Sequence, residues 1–156
     1  MTRTTIAEEI KQSKPFSSLQ QEVYLSILRT ADELHSQVAA LLKPFGVSTT
    51  QYNVLRILRG AGPNGHRCSE IAERMITREP DITRLLDRMT KAGWISQTRD
   101  SKDRRVVITR ITPEALKLLK EIDKLIVELE RTLMANVSER KLKTLLSLLD
   151  EVRSGE

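Results

Sequence analysis

The sequence predicts a mainly α-helical domain that carries one small β-hairpin. Three observations lead there. Hydrophobic residues make up 39% of the chain but aromatics only 3%, an aliphatic composition that suits packed helices better than a β-sandwich. Apolar residues recur at three- and four-residue steps through most of the chain. One pair of β-prone runs, "WISQT" and "VVITRIT", flanks the charged stretch "RDSKDRR", Arg99 to Arg105. At 156 residues the chain is long enough for one domain with a real core.

Residues 1–16 read as an arm with a short helix across Ile6 to Ile10, ending near Pro15. Ser17 and Ser18 each have Gln three positions on, the capping-box spacing, so a long helix starts there. Val23, Ile27, Ala31, Leu34, Val38, Leu41 and Leu42 form its stripe until "KPFG" stops it. "STTQ", Ser48 to Gln51, restarts helix with Tyr52, Leu55 and Leu58 as the buried face, and "GAGPNG", Gly60 to Gly65, reads as a loop. "HRC" reads as one short strand with its thiol inside. "SEIAERM" is a short helix capped by Ser69 and buried through Ile71, Ala72 and Met75.

After a turn around "ITRE", a second helix carries "PDITRLLDRMTKA" and stops at Gly93, a residue suited to a left-handed C-cap. Two short helices and a tight turn make a helix-turn-helix candidate. The hairpin follows, roughly 95–99 and 105–111. "TPEA" then supplies an N-cap at Thr112 and a proline in the first turn. The helix from Pro113 to about Ala135 carries Leu116, Leu119, Ile122, Ile126, Leu129 and Leu133. The last opens at Ser138 and carries Leu142, Leu145, Leu146, Leu149 and Val152. These stripes are more apolar than the central module can cover, which predicts that the terminal helices, 17–43 and 113–152, pair across a two-fold axis around a lobe spanning 48–111.

Net charge is +5, and its distribution is more telling than its size. Between His66 and Arg110 there are eleven Lys and Arg against seven Asp and Glu, a net +4, so the rest of the chain is nearly balanced. Such a concentration points to a polyanion. A helical interaction module without a nucleic-acid partner would explain the terminal stripes but not this clustering. The single cysteine, Cys68, excludes an intramolecular disulfide framework and fits a reducing compartment. No signal peptide or membrane span is evident, so a cytoplasmic protein is the expectation, with no membrane partner.

Catalysis finds little support. There are two His, one Cys and no Gly-rich phosphate loop. His66 stands two residues before Cys68, too few ligands for zinc, and a Cys–His nucleophile lacks a third member. No enzyme, metal site or cofactor is expected.

On the helix after Pro80, Ile82, Leu85, Leu86 and Met89 share one face, while Asp81, Arg84, Arg88 and Lys91 share the opposite one. The major groove of B-DNA admits such a helix and offers guanine O6 and N7 to a bidentate Arg. Glu79 has two readings that the sequence leaves open: it accepts from a cytosine amine, or it orients Arg78 or Arg84. Lys102 and Arg104 at the hairpin tip are candidate phosphate contacts, and Thr77, Arg78, Asp81 and Thr83 complete the candidate DNA-binding set.

These segments together resemble the winged helix-turn-helix core of the MarR family of bacterial transcription regulators. "TRLLDRMTKAG" is similar to the family's recognition helix, "DSKDRR" to its Asp-rich wing ending "D-x-R", and "ITPEA" to the helix start that follows. About 50 residues match closely, and the helix order matches along nearly the whole chain. "TREPD" stands where the family has a Ser/Thr-rich entry, and Ala115 where it usually has Gly.

The resemblance implies a winged helix-turn-helix flanked by dimerisation helices, acting as a homodimeric repressor on pseudo-palindromic double-stranded DNA. Arg84 corresponds to the recognition-helix Arg in the major groove, Arg105 to the wing Arg that enters the adjacent minor groove, and Asp103 to the acid that braces it. It also implies release by a small aromatic or phenolic effector held between the dimer helices and the lobe, with Tyr24, His35, Phe45 and Tyr52 as candidate lining.

Overall fold

In a computed structural model of the chain, residues 4–101 and 103–155 are described. Seven α-helices and a two-stranded antiparallel sheet follow the predicted order. The arm holds a single-turn helix, α1 (Ile6–Glu9), capped by Thr5 and Glu8. Helix α2 (Leu19–Leu42) begins at Ser18, whose hydroxyl accepts from Gln21 N–H at 3.1 Å, while Gln21 Oε1 accepts from Ser17 N–H at 2.8 Å. A 3₁₀ turn at Lys43–Phe45 then breaks the chain direction.

Helix α3 (Thr49–Ala61) opens on the predicted reciprocal cap: Ser48 Oγ accepts from Gln51 N–H at 3.1 Å, and Gln51 Oε1 from Ser48 N–H at 2.8 Å. It runs through Gly60 to Ala61, where the sequence suggested a loop from Gly60 onward. One helical glycine costs only about 1 kcal/mol, and the helix continues until Gly62 and Pro63 turn it.

Helix α4 (Cys68–Arg74) corrects three expectations. Its cap is Arg67, not Ser69: the N–H of Arg67 donates to Glu70 Oε2 at 2.7 Å. That bond holds the Glu70 carboxyl below the ordinary glutamate range. Ala72 is exposed, while Ile71 is buried and Met75 half-buried. The predicted strand "HRC" shrinks to one bridge, His66 to Thr109, because Cys68 already opens the helix and is half-buried there.

Helix α5 (Ile82–Lys91) ends ahead of Gly93, which takes φ +77°. Strands β1 (Ile95–Arg99) and β2 (Val107–Ile111) pair with Ile95 opposite Ile111 and Arg99 opposite Val107. The second strand starts two residues later than predicted, since 103–106 are drawn into the turn: Val106 N–H donates to Asp103 O at 2.9 Å. Thr112 ties the hairpin base to helix α6 (Pro113–Met134). Its hydroxyl accepts from Ala115 N–H and lies 2.8 Å from Gly93 O. Helix α7 (Glu139–Ser154) follows Ser138.

The buried core is built by α3, α4, α5, β1 and the first half of α6, around Leu55, Leu58, Ile71, Leu86, Met89, Leu119 and Ile122. Helix α2 contributes only Leu42 to it, and α7 buries no residue at all. Among the described residues, no helix is long and apolar enough to cross a membrane.

Candidate nucleic-acid interface

Helix α5 is divided as its sequence requires. Leu85, Leu86 and Met89 are buried and Ile82 half-buried, leaving Thr83, Arg84, Arg88 and Lys91 outside. Asp81 is the N-cap, so its carboxylate acts inside the helix: Oδ1 accepts from Arg84 N–H at 3.1 Å, and Oδ2 lies 3.4 Å from Arg84 Nε. The same side chain therefore satisfies an orphaned N–H and steers a guanidinium that stays 78% exposed. Glu79 Oε1 accepts from Asp81 N–H at 3.3 Å, beside the cap.

The hairpin tip is ordered by its acids. Asp103 Oδ1 accepts from Arg105 N–H at 3.0 Å and lies 3.4 Å from Arg105 Nε, whose side chain is 93% exposed. Asp100 accepts from Asp103 N–H at 3.1 Å, and Arg99 donates to Arg104 O at 3.4 Å. Asp103 and Arg105 are thus brought together, with the guanidinium free on its outer side. Lys102 lies outside the described residues.

Arg110 contributes to the local positive charge but is turned inward. Its Nε donates to Pro63 O and one Nη to Thr98 Oγ1, both at 2.8 Å. With the His66–Thr109 bridge (3.0 and 2.8 Å), these bonds lash β2 to the loop after α3. Gly65 sits in the seam: a Cβ there would strike the Thr109 carbonyl and come within 2.7 Å of Arg110 Cγ, and its φ is +66°. Sequence reasoning counted Arg110 only as charge. Its place on a strand, facing a loop 47 residues earlier, has no local signal.

Between α4 and α5 the chain crosses the exposed turn 76–80, where Thr77 and Arg78 are both exposed and Ile76 is 82% exposed. Asn53 Oδ1 on α3 accepts from Ile76 N–H at 2.9 Å. Behind this turn a cleft of about 420 Å³ opens between α2, α3 and α6. It is walled by Leu34 and His35 from α2, Tyr52 and Arg56 from α3, Ile126 from α6, and Ile76 and Thr77 from the turn. His35 Nε2 is 3.3 Å from Thr49 Oγ1. The Arg56 guanidinium carbon lies 5.8 Å from the centre of the Tyr52 ring.

Two of the four residues predicted to line an effector site, His35 and Tyr52, meet in this cleft. The other two do not: Tyr24 is 61% exposed, and Phe45 packs against the core. The Tyr52 hydroxyl donates to Asp123 Oδ1 on α6 at 3.2 Å, and Arg59 pairs with the other carboxylate oxygen. Burial is the main cause that raises the Tyr52 hydroxyl above the ordinary tyrosine range, and Asp123 adds to it. Among the described residues, no group of three or more His, Cys, Asp or Glu is placed to hold a metal.

The family model for the MarR family matches residues 47–107. The chain is similar to a MarR transcription factor from Planctomyces limnophilus, at 35% identity over 87% of this chain and 98% of that one, with a TM-score of 0.67. A mutant MarR from E. coli, complexed with operator DNA, shares the fold at TM-score 0.77 and 23% identity, covering 87% of this chain and 99% of that one. An organohalide-sensing transcriptional regulator in its 2,4-dichlorophenol-bound form also shares it, at TM-score 0.81 and 18% identity, covering 92% of this chain and 87% of that one. The two-faced helix, the charged hairpin and these likenesses agree, and the chain belongs to the MarR family of DNA-binding transcription regulators.

Proposed function

We propose that the protein is a homodimeric repressor that reads a pseudo-palindromic operator with α5 in the major groove and the hairpin as a wing in the adjacent minor groove. The observation that carries this reading is the pairing of exposed guanidinium groups with carboxylates that aim them: Arg84 with Asp81 on α5, and Arg105 with Asp103 on the wing. Exposed pairs of this kind stabilise a fold by only about 0–1 kcal/mol, so pre-orientation of the Arg is their better use. A narrow minor groove has an enhanced negative potential that favours an inserted Arg.

Arg84 and Arg88 face the bases, with Thr83 beside them. Thr77, Arg78, Lys102 and Arg104 take phosphates, and Asp81 acts through Arg84. The terminal helices 17–43 and 113–152 form the dimer, and the lobe 48–111 docks with half-sites about 10 bp apart or a multiple of that. The cleft beside His35 and Tyr52 takes a small, largely apolar effector, by analogy with the similar regulator that holds 2,4-dichlorophenol.

The test is a gel-shift titration over salt, on a duplex that the wild-type protein selects from a randomised pool. Arg84→Ala with Arg105→Ala is expected to abolish preference for that duplex. Arg104→Ala is expected to lower affinity evenly and to reduce the salt slope by about one. Unchanged preference in the double variant overturns the reading.

A further inference from the structure

The middle of α5 is fixed by Leu85, Leu86 and Met89 in the core. Its entry is not. Residues 76–80 form no backbone–backbone hydrogen bond among the described residues, and Ile76 has almost no apolar cover. From this segment, one hydrogen bond among the described residues reaches another element: Ile76 N–H to Asn53 Oδ1, 2.9 Å, across 23 residues of sequence.

Asn53 is an odd choice for its place. It lies inside α3, between the buried Tyr52 and Val54, yet Asn is a poor helix former compared with Ala or Leu. An Asn within a helix commonly bonds its own backbone or points to water. Here the side chain leaves its helix and takes the N–H of Ile76, the residue just after Met75, the C-cap of α4. The bond is partly exposed to water, so as a stabiliser of the whole fold it contributes little. Its consequence is local: it sets where the turn leaves α4, and therefore where Thr77, Arg78 and the Asp81 cap stand relative to the body.

We infer that Asn53 is a positioning residue for sequence reading, holding the turn so that the first turn of α5 meets the bases in one register. The inference rests on α5 being the reading helix, where residues near the N-terminus reach base edges. Asn53 itself touches no DNA in this arrangement.

The experiment uses the full-length protein with Asn53→Ala and Asn53→Asp, on the selected duplex and an unrelated duplex of equal length. Asn53→Ala is expected to reduce the ratio of the two affinities roughly three- to tenfold, the worth of one neutral hydrogen bond. The salt slope should stay as in wild type, because no phosphate contact is lost. Ala is the better helix former, so folding is preserved. Exchange of the Ile76 amide should accelerate.

Asn53→Asp keeps an acceptor for Ile76 N–H. Its added charge lowers affinity for both duplexes, but their ratio should stay near wild type. A wild-type ratio or wild-type Ile76 exchange in Asn53→Ala overturns the inference, as does an Asp variant as unselective as the Ala one. Arg84→Ala on the same duplexes separates the two levels. If it too leaves the ratio unchanged, the reading of α5 has failed; if it lowers the ratio and Asn53→Ala does not, only the positioning role has failed.

Discussion

The central lobe and the terminal helices carry similar aliphatic stripes, but the lobe buries its own while the terminal helices bury theirs only in part, mainly through Leu119, Ile122 and Ile126 of α6. In residues 48–111, Tyr52, Val54, Leu55, Leu58, Ile71, Leu85, Leu86, Met89 and Ile95 are all buried. On α2, α6 and α7, Val23, Leu116, Leu145, Leu146 and Val152 of these stripes stay exposed, as do Leu28 and Leu125 beside them. Apart from Ile76 and Val107, every large exposed hydrophobic among the described residues lies outside the lobe. The difference teaches that a heptad-like stripe announces burial without saying against what. The lobe and the inner face of α6 answer within one chain, and under our proposal the exposed faces of the terminal helices answer with a second.

The largest expected effect separates the two regions directly. Leu86→Ala removes a side chain with no exposed surface and is expected to cost about 2–5 kcal/mol in denaturant unfolding, independent of protein concentration. Leu145→Glu with Leu146→Glu alters two exposed positions on α7 and is expected to leave the lobe folded while abolishing self-association by sedimentation. In wild type, the unfolding midpoint should then rise with protein concentration, and in the α7 variant it should not. A concentration-independent midpoint in both would break the comparison.

A second effect tests how the wing is joined to the lobe. Gly65→Ala places a methyl group against the Thr109 carbonyl, on backbone at φ +66° that L-residues avoid. Because the obstacle is main chain, β2 must shift, at an expected cost of about 1–3 kcal/mol. The shift should also move Arg110 from Pro63 and loosen the hairpin. Cleavage by trypsin at the wing arginines, compared with wild type, measures that loosening.

Much of this organisation was legible in the sequence because its signals are local. The Ser48–Gln51 cap, the Thr112–Pro113 helix start and the two faces of α5 each lie within one or two turns of chain, and all appear as predicted. The Arg67 cap was legible too, since Glu70 stands at the third helical position, but Ser69 is the more familiar capping residue and drew the assignment. What could not be read depends on distant partners. Asn53 meets Ile76 across 23 residues, Arg110 meets Pro63 across 47, and Tyr52 meets Asp123 across 71. The family resemblance offers Tyr24, His35, Phe45 and Tyr52 alike as effector lining; only the packing of α2 on α3 and α6 brings His35 and Tyr52 to one cleft without the other two.

The smallest expected effect concerns a place where side chains of α6 and α3 bond the two regions. Asp123 on α6 accepts from the Tyr52 hydroxyl and pairs with Arg59, both on α3, so a carboxylate of the scaffold holds the first helix of the lobe. Tyr52→Phe deletes the hydroxyl and leaves Arg59 on Asp123, so the expected loss is about 1 kcal/mol in thermal or denaturant unfolding. Its pH dependence identifies the cause. Burial raises the folded hydroxyl above its unfolded value near 10, so the neutral, donating form is favoured in the fold. The stabilisation is therefore fully present below about pH 10 and is lost as pH rises through the folded value. Wild type should converge on Tyr52→Phe in that window. Below it the gap should be constant, and a gap that closed toward acid instead would place the effect on Asp123 rather than on the hydroxyl.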